Sequence, residues 1–289
     1  MSNSNITSVL SYLKYVDELK TRLNVTENDF ISFRSHAKQS YKLLPSLFRD
    51  DRVKSRESEA LRTIEIVHPR ELSGMSTLDK LVMLQHYEFP TRLLDFSFNP
   101  LVALFFASNA HSDCDGTVIM CKVSNSEIHQ FDSNEAQGLA GLAICSNELK
   151  EKLSQCDRLA LMRALNQFPN RRGFVNMYMD KQCDGYISTL ARDFIRLLPE
   201  GVSGELDLFT PIFVKTKLLN PRIIAQKGAF LLFGFDEEFP KHIQRYEIPI
   251  VGEYKAKLIA DLENFGIDES IMFPEFEHFL SYLRRKMQN

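Results

Sequence analysis

Apolar residues recur at helical spacing near the start of the chain, at Val9, Leu10, Leu13, Val16 and Leu19, and predict a helix over about residues 6–20. "NDFISFRSH" then alternates, with Ile31 and Phe33 on one side and Ser32 and Arg34 on the other. That period of two predicts a short strand with Arg34 on its polar face. "KLLPSLFRDDRVKSRESEALRTIEIVHPREL" predicts a turn and then a helix from about Ser55. A further helix is expected in "TLDKLVMLQHY", capped by Ser76 or Thr77, with Leu78, Leu81, Val82 and Leu84 on its buried side.

Pro90 interrupts this pattern, since the residue before a proline avoids the helical region. Asn99-Pro100 then reads as a helix start, because Asn caps and Pro fits the first helical position. The run "PLVALFFASNA" is apolar on all sides and belongs in a core. "GTVIMCKV", "TPIFVKT" and "GAFLLFGF" predict strands. The region 134–183 is helical in pattern, and "NELKEKLSQCDRLALMRALNQF" is compatible with one helix or two. "GEYKAKLIADLENFGI" predicts a helix ending near Gly266, and "FPEFEHFLSYLRRKM" one beginning at Pro274. Helices mixed with strands, without strict alternation, predict an α+β fold with a mixed or antiparallel sheet and packed helices. No linker rich in Gly, Pro or Ser divides the 289 residues, so one domain is expected, with a helical extension over about 1–27 and a helical C-terminal part over about 252–289.

Composition narrows the function classes. With 35 basic against 38 acidic residues, the net charge of −3 lacks the basic balance of a general nucleic-acid binder. Five cysteines, Cys114, Cys121, Cys145, Cys156 and Cys183, form no CxxC pair. An odd number without ligand spacing predicts reduced thiols in a cytoplasmic protein and no zinc site. Neither a signal peptide nor an apolar run long enough to span a membrane is present. There is no GxSxG, GxGxxG or P-loop motif. A metal nuclease would draw on Asp50, Asp51, Glu57 and Glu59, but acids beside a turn are more often a solvated face.

"FRS" at Phe33–Ser35, "LLPSLFR" at Leu43–Arg49, "QHYEFPTRLLDFSFNPLVALFFA" at Gln85–Ala107 and "PRIIAQKGAFLLF" at Pro221–Phe233 resemble the FRG domain family. "GIDESIMFPEF" at Gly266–Phe276 is similar to its C-terminal end, so the resemblance runs over about residues 28–280. Ser35 and Glu88 stand where the family has Gly, and Phe96-Ser97 where it has Trp-Thr; the two lost glycines imply altered turns. A more distant resemblance, to ADP-ribosyltransferases of the R-S-E type, rests on the order "FRS", "DFSFNPLVALFFA", "AQKGAFLLF". It implies an ADP-ribosyltransferase-like fold and NAD as substrate. It further implies a protein, nucleic-acid, small-molecule or water acceptor and a toxin-like role in bacterial conflict or antiphage defence.

Under that resemblance Arg34 would hold the phosphates, Ser97 would orient the nicotinamide ribose, and Gln226 stands where a catalytic glutamate is expected. Gln accepts a hydrogen bond from a ribose hydroxyl but takes no proton. His86, Tyr87 and the helix start at Asn99 complete the cofactor-binding candidates, by proton transfer, stacking and free backbone N–H groups. Arg92 and Asp95 are expected to pair across a bend and hold the loop that carries Ser97. Each residue also has a plainer reading: a strand-face salt bridge for Arg34, a cap or turn for Ser97, a polar turn residue for Gln226, a core histidine for His86. A non-catalytic nucleotide or ADP-ribose sensor is the competing function. Arg34, Ser97 and Gln226 are expected to converge on one cleft, with no two of them on opposite faces of the sheet, an arrangement that would speak against the transferase reading.

Overall fold

The computed structural model describes residues 6–167, 185–202 and 206–288. Among them, seven strands form one mixed sheet, built from β1 (Asp29–His36), β2 (Leu93–Ser97), β3 (Gly116–Ser124), β4 (Ile128–Gln130), β5 (Ile212–Lys215), β6 (Gly228–Leu232) and β7 (Gln244–Ile250). The spatial order is β4-β5-β6-β2-β1-β3-β7, with β4 and β5 parallel and every other neighbouring pair antiparallel. With helices packed against it, the sheet makes an α+β architecture.

Three apolar clusters hold the helices to the sheet. Phe33, Val118, Met120, Ile248 and Ile250 meet the helices Val9–Arg22, Pro100–Ser108 and Lys255–Asn264. Leu93, Phe230 and Leu232 meet the helices Glu57–Val67, Thr77–His86 and those of the 134–195 region. Leu94, Phe96, Ile119, Cys121 and Leu231, which alternate with these along the strands, pack with Leu47 and Phe48 on the opposite face. Both faces are therefore covered, and the polar side of β1 expected for Ser32 and Arg34 is buried too: Ser32 is 1% exposed.

Local signals formed as the sequence implied at several places. Ser76 caps Thr77–His86 in a capping box with Asp79, and Asn99 caps Pro100–Ser108 through Leu101 N. The ambiguous 147–168 stretch is two helices, Asn147–Ser154 and Arg158–Asn166, and its continuation over 168–184 lies outside the described residues. Three strands went unread: β2, β4 and β7. β4 is three residues long, and β7 contains Pro249 and exposed polar residues. As the edge strand, β7 tolerates a proline that a central strand would not. The segment read as a bend is β2 itself.

β1 and β2 pair at a single register position, Phe33 opposite Ser97, whereas β1 pairs with β3 along its whole length. Beyond Phe33 the two central strands part. Such an opening in the middle of a sheet exposes backbone groups that something else must satisfy.

Candidate functional site

Side chains fill the parting of β1 and β2. Arg34, one residue past the paired position, donates from Nη1 to the Asp95 carbonyl at 2.8 Å, in place of a strand hydrogen bond. Gln85 donates to Asp95 Oδ2 at 2.9 Å and more distantly to the Leu93 carbonyl at 3.4 Å. Thr91 Oγ1 donates to Gln85 Oε1 at 2.5 Å and accepts from Leu93 N at 3.2 Å, so Gln85 is fixed from both ends. Outside these props a cleft of about 490 Å³ remains, within the usual range for small-ligand sites.

Arg34, Ser97 and Gln226 all line this cleft. They do so from different directions. Ser97 shares a face with its partner Phe33, whereas strand alternation places Arg34 on the other face, beside Ile119. The expected shared face is therefore not found, and the cleft reaches both residues only because the strands have parted. Ser97 Oγ donates to the Gln226 carbonyl at 2.6 Å and accepts from Asn99 N at 3.0 Å, which ties β2 to the turn before β6. Gln226 ends the short helix Pro221–Ala225, and its Nε2 donates to the Met272 carbonyl at 3.0 Å. Its neighbour Lys227 has a left-handed backbone, φ 46°, an unusual conformation for a residue with a side chain.

Two other candidates are placed elsewhere. Tyr87 is 68% exposed, outside the cleft lining, with its ring edge-on to His86. Asn99 is also outside the lining, and its side chain is spent on the helix cap. His86 does line the cleft. Its Nδ1 is 3.4 Å from Glu275 Oε1, and its carbonyl accepts from Arg222 Nη1 at 3.0 Å. Burial, with Arg222 and His278 adding and Glu275 opposing, holds its pKa below the ordinary imidazole value, so it is neutral at pH 7.

The expected Arg92–Asp95 pair does not form. Arg92 lies one residue before β2 and its side chain goes to Glu57, whereas Asp95, inside β2, meets Gln85 and Arg34. Arg92, 3% exposed, instead makes a bidentate pair with Glu57, Nε to Oε1 at 2.8 Å and Nη2 to Oε2 at 2.5 Å, and donates from Nη1 to the Phe233 carbonyl. Lys150 reaches Glu57 Oε2 at 2.6 Å. Burial works against the Glu57 carboxylate, but Arg92 and Lys150 outweigh it and hold its pKa below the usual range. The lock is real, but its partner lies 35 residues upstream. Asp95 pairs with Arg34 at 3.7 Å and is 55% exposed in its side chain. Of the acids considered for a metal, Glu57 belongs to this lock and Asp50 caps a turn and binds Arg52. Among the described residues no His, Cys, Asp and Glu cluster could hold a metal ion.

Several residues of the site were not singled out in the sequence: Gln85, Arg49, Arg222 and, behind His86, Glu275, which lie within the stretches that carry the family resemblance, and His36, which lies two residues from Arg34 on the same strand face. Arg222 also stacks over Phe273 at 4.4 Å. With the Gln226–Met272 and His86–Glu275 contacts, this makes segment 272–275 one wall of the site.

At the two positions where the resemblance expected glycine, the outcomes differ. Ser35 lies inside β1 opposite Val118, where no special backbone is needed. Glu88 has φ 60°, so the turn keeps the left-handed conformation that glycine would adopt without strain.

Among the described residues no helix is long and apolar enough to cross a membrane. Comparison with curated proteins and with solved structures gave no match. The family model described as FRG domain matches residues 29–116, which include β1, the turn at Glu88, β2 and the helix Pro100–Ser108, but not the segments around Gln226 and Met272. Residues 29–116 are thus similar to the FRG domain, and the matched stretch supplies Arg34, His86 and Ser97 to the cleft.

Proposed function

We propose that the cleft binds NAD and transfers its ADP-ribosyl group, releasing nicotinamide. The observation that supports this reading is the meeting of Arg34, Ser97 and Gln226 at one cleft from three separated segments. In the proposed step the glycosidic C–N bond breaks and nicotinamide leaves with the electron pair. The oxocarbenium-like ribose is then attacked by an oxygen or nitrogen of the acceptor, whose proton passes to a base. Positioning and electrostatics supply most of such a rate enhancement. Arg34 has a buried Nε with no hydrogen-bond partner, free to bind a phosphate oxygen. Ser97 holds the Gln226 turn in place, and Gln226 Oε1 can accept from a ribose hydroxyl. The base is assigned to His86, neutral at pH 7 and backed by Glu275, because Gln226 cannot serve. A toxin-like role in conflict between bacteria and phage is the setting that goes with this chemistry.

One observation favours a second reading, a nucleotide or ADP-ribose sensor without turnover: no carboxylate occupies the position of Gln226, and its amide is held by Met272. Purified protein incubated with NAD, with nicotinamide and remaining NAD followed by chromatography, separates the two. Nicotinamide release that is lost in a folded Arg34→Ala variant supports transfer. NAD that is bound but intact selects the sensor. Absence of binding to both NAD and ADP-ribose refutes both.

A further inference from the structure

One end of the cleft is cationic beyond what an ion pair requires. Arg34 and His36 leave β1 two residues apart and point the same way. Arg49, at the cleft mouth, lies close enough that its charge bears on both. Arg49 uses Nε and Nη2 on the Leu44 carbonyl, at 3.2 and 3.0 Å, and forms no ion pair among the described residues. Arg34 Nε and His36 Nε2 are both buried without a hydrogen-bond partner. His36 is 4% exposed, and its ring lies 6.1 Å from that of Tyr41. The nearby carboxylate, Asp95, is shared with Gln85 and meets Arg34 at 3.7 Å.

Two guanidinium groups lining one cleft repel each other, and buried donors without partners cost stability. A multivalent anion would relieve both. A carboxylate offers two oxygens and suits one guanidinium fork, whereas a phosphate presents three acceptors to groups arriving from different directions. We infer that Arg34, His36 and Arg49 form a phosphate subsite, and that the ligand is a nucleoside diphosphate ester whose phosphates occupy this end of the cleft. Its glycosidic bond then points toward Ser97 and Gln226. That orientation rests on the NAD reading; the phosphate subsite does not. His36 meets the anion as a neutral imidazole, because burial, Arg34 and Arg49 together push its pKa down to about 4.

Calorimetric titration at low salt with ADP-ribose, ADP and adenosine tests the subsite, in wild type, Arg49→Gln and His36→Asn. Wild type should bind both phosphate ligands well above adenosine, with affinity falling as salt rises. Arg49→Gln should weaken ADP-ribose and ADP roughly ten- to hundredfold and adenosine by less than about twofold. His36→Asn should act in the same direction. Arg49 is exposed, so its variant reports even if the buried His36 substitution impairs folding. ADP bound through Arg49 while NAD stays intact would keep the subsite and reject the transfer chemistry. Unchanged ADP-ribose affinity in Arg49→Gln, adenosine bound as tightly as ADP-ribose, or no ADP binding by wild type would overturn the inference.

Discussion

Replacing Glu57 by alanine would leave Arg92 and Lys150 facing each other without a counter-ion. Arg92 and Glu57 are 3% and 6% exposed, and the Lys150 side chain is 14% exposed, so little water is available to compensate. Removing one member of a buried pair typically costs about 3–5 kcal/mol. Here two cations lose their partner, so the upper part of that range is expected. At roughly 2–4 °C per kcal/mol, the melting temperature should fall by about 8–20 °C. Asp95→Asn is the internal control. Its side chain is 55% exposed and its contact with Arg34 is 3.7 Å, so the loss should stay below about 1 kcal/mol. Thermal melts followed by circular dichroism compare the two. A Glu57→Ala protein melting within about 2 °C of wild type, a shift worth less than roughly 1 kcal/mol, or Asp95→Asn melting lower than Glu57→Ala, would refute the assignment of the lock.

Glu88→Gly should raise stability by up to about 1 kcal/mol, because it removes a left-handed non-glycine residue; a lower urea midpoint would contradict this. Gln226→Glu should lose the donation to the Met272 carbonyl, about 1 kcal/mol in melts, yet keep NAD binding and match or exceed wild-type nicotinamide release. Gln226→Ala should slow release by roughly ten- to hundredfold, and equal rates in all three proteins would remove Gln226 from the chemistry. His36 contributes stability that is complete above about pH 6.5, its unfolded pKa, and is lost as pH falls toward its folded value of about 4. The loss is at most roughly 3 kcal/mol. The wild-type minus His36→Gln difference in urea stability should therefore shrink between those pH values, and a constant difference would contradict the buried neutral imidazole.

What could be read in the sequence was mostly local. Asn99-Pro100 announced a helix start through a cap whose acceptor and donor are two residues apart. Ser76 did the same for its helix, with Asp79 answering three residues on. Arg92 shows where such reading ends. Its charge demanded a buried partner, but at the entrance to an unrecognised strand it turns away from Asp95, and Glu57 could be found only in three dimensions. The cleft itself had no sequence signature, because it arises where β1 and β2 stop pairing after one register position. Arg49 and Arg222 enter it from short helices whose approach depends on the whole sheet. Tyr87 and Asn99 sat next to the right residues, yet neighbours in sequence faced outward or were consumed by a cap.

The central claim is that NAD occupies the cleft beside the parting of β1 and β2. Crystals of the protein grown with NAD, or with ADP-ribose if NAD is consumed, test it most directly. Density is expected in the 490 Å³ cleft, with phosphate oxygens within hydrogen-bond distance of Arg34 Nε and the ribose beside Gln226. A nucleotide bound elsewhere on the chain, or an empty cleft at saturating ligand, would contradict the account.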